Sequence, residues 1–196
     1  LFIGSSHCSD DPLNGGDNTD DKDTKSILLK ISYSPTTYYV EGNAKSIKFA
    51  SGDLYFTDIN GSILKHYTLS DAVSSNNNIM LSELIDESGK RIKNLPVSVS
   101  NAYVVGNTPG SPSTGNILAV QNQTLKVESQ LNNVNLYGKS SIVENEANVI
   151  LAPITSRIEL TDIIAEGLIQ SFDVAGVFID NYYSQATVEG TLNEAS

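Results

Sequence analysis

A β-sandwich carrying one helix is the fold the sequence predicts, and three observations predict it. Runs with apolar residues at every second position dominate the 196-residue chain, as in "SILLKISYS". Clusters of Pro, Gly, Asn and Ser break those runs at short intervals. One stretch alone has apolar residues at helical spacing. About eight strands against one helix make a mostly β domain, and a chain that is 39% hydrophobic can bury a core.

The elements follow in order. Residues 9–26, "SDDPLNGGDNTDDKDTKS", hold six aspartates and one large apolar residue, Leu13. So little apolar surface cannot offset the entropy of ordering, so 9–25 is predicted to be a disordered acidic tether. The acids lack the turn glycine and closing glutamate of an EF-hand. The first strand is expected at 26–34, where Ile27, Leu29, Ile31 and Tyr33 share one face. Ile47, Phe49, Leu54 and Phe56 lead into "DING", and Asn60-Gly61 predicts a hairpin to Ile63, Leu64 and Tyr67. Residues 70–94 read as loop, and 95–105 as a strand. The turn-rich "GNTPGSPSTGN" at 106–116 precedes a helix predicted over "ILAVQNQTLKVESQL", with Ile117, Val120, Val127 and Leu131 on its stripe. "NVNLYG", "ANVILAPITSRIELTDII" and "QSFDVAGVFIDNYY" close the domain as strands, with Pro153 at a bend or an edge.

The composition narrows function. Net charge is −11, from 23 acidic and 12 basic residues, which argues against binding a phosphate backbone. Two histidines are present. His7 adjoins the cysteine, and His66 sits in a strand without a nucleophile-elbow glycine pattern. No His/Cys/Asp cluster has metal-ligand spacing, and no lysine accompanies the glycine-rich loop as a phosphate loop requires. We expect no catalytic residue, no metal and no cofactor. The sequons at Asn60 and Asn122 are short enough to arise by chance.

The single cysteine, in "SSHCSDDP", allows no internal disulfide. Polar flanks exclude a small buried hydrophobe. Acylation fits. "LFIG" would be the tail of an apolar signal peptide, residues 1–8 its remnant with the lipid on Cys8, and the lipid would hold the chain on a membrane without a spanning helix. "CSDD" resembles the export signal of Bacteroidetes surface lipoproteins, placing that signal at Ser9, Asp10 and Asp11.

The globular part, 26–185, resembles the N-terminal domain of the Bacteroidetes fimbrillin superfamily, the subunits of type V pili. Four stretches carry the resemblance: "SILLKISYS", "IKFASGDLYFTDINGSI", "AYVVGNTPG" and "ANVILAPITSRIELTDI" followed by "FDVAGVFIDNYY". It implies a transthyretin-like antiparallel β-sandwich of seven or eight strands with one helical insertion. It also implies an exported lipoprotein on the outer membrane or cell surface, with a structural role in a pilus and in adhesion. Subunits would join by β-strand addition after a protease removes the first strand, here Ile27, Leu29, Ile31 and Tyr33. The loop after that strand, "PTTYYVEGNAK", has Lys45 as its one basic residue. Lys45 and Arg91 are therefore the candidate cleavage positions. Arg157 is expected within a strand, paired with Glu159 or Asp162 or facing solvent. Residues 186–196 would begin a linker to a second domain. The competing expectation is a non-polymerising surface sandwich that binds glycans or host proteins.

Overall fold

The computed structural model describes residues 23–33, 49–72, 76–108, 110, 112–126, 134–155, 163–164, 166–168, 172–178 and 183–193. The fold is mostly β. Its strands are β1 (Thr24–Tyr33), β2 (Gly52–Thr57), β3 (Ile63–Leu69), β4 (Asn78–Ile79), β5 (Lys90–Pro96), β6 (Asn101–Gly106), β7 (Thr124–Lys126), β8 (Leu136–Ser141), β9 (Glu146–Pro153), β10 (Gln185–Thr187) and β11 (Leu192–Asn193). Among the described residues two five-residue helices, α1 (Leu81–Ile85) and α2 (Ile117–Gln121), interrupt them.

Eight strands form one curled sheet in the order β4-β3-β2-β6-β8-β9-β1-β5, and β11-β10-β7 form a small second sheet. The large sheet turns a corner between β8 and β9. These strands pair only at Leu136–Pro153 and Tyr137–Ala152, whereas β8 pairs along its whole length with β6, and β9 pairs with β1 through six register partners. Gly138 permits the close approach at that corner. A Cβ there would lie 2.6 Å from the Ile150 carbonyl oxygen. Folding the sheet back lays β9-β1-β5 over β4-β3-β2-β6-β8. The main core fills the space between, with Ile27, Leu29, Ile31, Val149 and Leu151 from one layer and Leu54, Phe56, Leu69 and Val104 from the other.

A smaller core covers the outer face of β2 and β6. Tyr55 and Val105 meet Ile117 and Val120 of α2, Leu125 of β7 and Val188 beyond β10. β2 and β6 thus send alternate residues to two different cores, which the strand period of two allows.

The Asn60-Gly61 hairpin is present, with Gly61 at φ +81°. Its turn is held by the Asp58 carboxylate, which accepts from the amides of Asn60 (2.9 Å) and Ser62 (2.8 Å). The β8–β9 hairpin turns through Glu144 and Asn145, both left-handed at φ 52° and 62°. That is the backbone of a two-residue hairpin turn compatible with strand twist.

Several local expectations change. The large sheet is mixed, because β1–β9 and β3–β4 run parallel. Residues 70–94 hold β4, α1 and the start of β5 in place of a plain loop. Of the helix predicted over 117–131, residues 117–121 form one turn that Asn122 caps, Leu125 lies on β7, and Val127 and Leu131 lie outside the described residues. Asn116 opens α2, its side chain accepting from the Leu118 amide at 3.0 Å. Residues 172–178, expected as strand, carry none, and Phe178 is 96% exposed. Residues 186–193, expected as the start of a linker, instead form part of the small sheet with Ala186 and Val188 buried.

Candidate functional site

β1 is the first candidate. It lies inside its layer, parallel to β9 on one side and antiparallel to β5 on the other. Ile27, Leu29 and Ile31 are buried (0%, 0% and 3% exposed), and Tyr33 packs partly against the same core. Burial raises the Tyr33 phenol above its ordinary pKa. The alternate residues Leu28, Lys30 and Ser32 are partly or fully exposed. Register places Leu29 beside Ala147, Ile31 beside Val149 and Ile27 opposite Ile92. α1 packs on β1 through the core residues Leu81 and Leu84. The Lys25 ammonium donates to the Val99 carbonyl at 2.6 Å, and Val97 N–H donates to the Asp23 carbonyl at 3.1 Å. Both contacts tie the start of β1 to the β5–β6 connection.

β5 depends on β1. It ends the sheet, and β1 is its one ladder partner among the described residues. Withdrawing β1 would therefore open both the β9 edge and the inner edge of β5, over an apolar floor.

Arg91 lies on β5, not in an exposed loop. Its side chain is exposed, but its backbone faces Leu28 in the ladder, so cutting there requires local opening of the sheet. Lys45, Cys8, Ser9, Asp10, Asp11 and Arg157 lie outside the described residues.

His66 stands on β3. Its Nε2 is 2.7 Å from Asp53 Oδ1, and its ring stacks on Tyr55 with centroids 4.9 Å apart. On the same sheet face, beyond β6, lies a polar clasp that sequence reasoning missed. Gln121 Nε2 donates to the Tyr137 hydroxyl (2.8 Å) and to Glu189 Oε1 (3.0 Å), and Lys139 Nζ donates to the same carboxylate oxygen (3.0 Å). The clasp joins α2, β8 and the turn after β10. Burial, chiefly, pushes the Tyr137 phenol far up, against the opposing hydrogen bond from Gln121.

No protein-family model matches the chain, and a search of curated proteins gives no match. Solved structures do match. Its structural neighbours include a cell adhesion protein and a fimbrilin. The first, a provisionally assigned cell adhesion protein from Bacteroides eggerthii, is 14% identical with a TM-score of 0.44, over 67% of this chain and 41% of that one. The fimbrilin, from Porphyromonas gingivalis, is 16% identical with a TM-score of 0.36, over 66% of this chain and 31% of that one. The chain thus spans less than half the length of either neighbour.

Proposed function

We propose that this chain is the N-terminal domain of a cell-surface pilus subunit that assembles by exchanging β1 for a strand of another subunit. The supporting observation is the placement of β1. Its alternate side chains fill the main core, and its backbone is paired on both sides. A strand of like pattern from another chain could recover both the ladder hydrogen bonds and the buried apolar surface. The sequence resemblance to fimbrillins points the same way. On this reading Cys8 holds the lipid that anchors the subunit before maturation. Ser9 to Asp11 direct export, and cleavage at Lys45 severs the covalent link between β1 and the rest of the chain.

The test is limited digestion of the folded full chain with a lysine-specific protease, complete inhibition of the protease, and then addition of a biotinylated peptide of residues 24–33, with mass spectrometry to locate the cut. Cleavage at Lys45 and capture of the peptide, with loss of the original β1, is the expected result. A peptide carrying Leu29→Asp should not be captured. A cut protein that takes up neither peptide, or takes up both equally, would refute strand exchange.

A further inference from the structure

The sheet face that carries the clasp also holds a pocket that strand exchange does not use. Asn101 and Tyr103 alternate along β6. Their register partners on β8 are Ser141 and Lys139, so all four side chains stand on one face. With Ser140 at the rim they line a depression in the surface. Tyr103 brings to it a half-buried aromatic ring that packs against the smaller core. The other walls are an amide, hydroxyls and an ammonium.

Each wall group keeps hydrogen-bonding capacity. Asn101 Oδ1 accepts from the Ser141 hydroxyl at 3.2 Å, and its Nδ2 reaches the Asp58 carbonyl at 3.4 Å. This leaves one amide N–H and one lone pair, and the serine oxygen can still accept. Lys139 donates to Glu189, and with its side chain 59% exposed it has further N–H groups to offer.

An aromatic ring beside an amide, hydroxyls and an ammonium already paired with a carboxylate matches one ligand chemistry. A pyranose offers a C–H face to stack on an aromatic ring and vicinal hydroxyls that both donate and accept. Charge selects among sugars. Glu189 already balances Lys139, and the protein carries −11 overall, so an anionic sugar or a nucleotide phosphate gains no net attraction. We propose that the Asn101–Tyr103–Lys139–Ser141 pocket binds a neutral pyranose residue of a glycan. The site is independent of the strand-exchange reading, because β6 and β8 lie in the layer opposite β1 and the pocket opens on its outer face.

The experiment is a 15N-NMR titration of the uncut full chain. The probes are methyl β-D-galactopyranoside, N-acetyl-D-glucosamine and N-acetylneuraminic acid. At least one neutral probe should give saturable shifts confined to the amides of residues 101–103 and 139–141. Tyr103→Phe should keep the affinity, whereas Tyr103→Ala should weaken it by about tenfold or more, equivalent to ~1.4 kcal/mol. Ser141→Arg, at an exposed position, fills the pocket without touching the core and should abolish the shifts while the spectrum stays dispersed. Shifts with none of the probes, shifts mapping elsewhere, or binding that survives Ser141→Arg would overturn the proposal. Binding of the anionic sugar in preference to both neutral ones would overturn its neutral assignment.

Discussion

Leu29→Ala probes the main core at the strand on which the functional reading turns. Leu29 is fully buried, beside Ala147 in the parallel ladder and opposite Lys90 in the antiparallel one. Truncation removes three carbons from a site walled by both layers. The small neighbour Ala147 cannot reach in to refill it. Burying a leucine and then emptying the space costs about 2–5 kcal/mol, and the limited room for collapse argues for ~3 kcal/mol or more. With a urea dependence of about 2 kcal/mol per molar, the unfolding midpoint should fall by ~1.5 M. The chain has no tryptophan, so the assay is far-UV circular dichroism with tyrosine fluorescence as the second probe. Lys30→Ala, on the opposite face of β1, is the paired control and should cost less than about 0.5 kcal/mol. If the Leu29→Ala midpoint stayed within about 0.3 M of the parent, β1 would not be the core strand described.

Four further outcomes are expected. Gly89→Ala should destabilise by about 1–3 kcal/mol in the same urea assay, since φ there is +67° and a Cβ would lie 2.6 Å from the Leu29 carbonyl oxygen. Gly110→Ala, with nothing near its Cβ, should be neutral. The raised phenols of Tyr137, Tyr33 and Tyr67 make the folded state hold protons that the unfolded chain loses. Their contribution is complete below the unfolded phenol pKa of about 10 and shrinks as pH rises above it. Thermal unfolding at alkaline pH should therefore fall less steeply with pH in Tyr137→Phe than in the parent; identical slopes would refute the assignment. For the lipid anchor, palmitate should label the full-length protein and not Cys8→Ser, and equal labelling would remove Cys8 from the reading.

Alternation along single strands was readable because it depends on local sequence alone. Ile27, Leu29 and Ile31 fall on the core exactly where period two puts them, and the Asn60-Gly61 hairpin forms where its turn chemistry indicates. Pairing was less readable. The parallel β1–β9 ladder joins segments more than a hundred residues apart, and nothing in either segment marks the direction of its partner. The long helix failed because Asn122 and Gln123 separate Val120 from Leu125. Both apolar residues reach the same small core, one from α2 and one from β7. Helical spacing and a helix-turn-strand can place the same residues on the same core. The pocket on β6 and β8 was half visible: the alternation of Asn101, Tyr103 and Val105 marks one face, but their partners Ser141 and Lys139 appear only once β8 is in register.

The interior position of β1 constrains how an exchange could run. Full burial of an aliphatic side chain is worth about 1.5–3 kcal/mol, so Ile27, Leu29 and Ile31 together contribute ~4–9 kcal/mol. A whole domain is stable by only about 5–15 kcal/mol. Losing β1 would also strip β5 of its one described ladder partner and leave Leu81 and Leu84 of α1 over a gap. A chain that released β1 first would forfeit most of its stability before a replacement arrived. Backbone cleavage by itself removes none of these contacts, so a cut subunit should keep β1 seated. On the strand-exchange reading, the incoming strand must therefore compete for the slot while β1 is still partly paired. It must offer apolar residues at every second position, and it must run parallel to β9 if it is to inherit the register that Ala147, Val149 and Leu151 present.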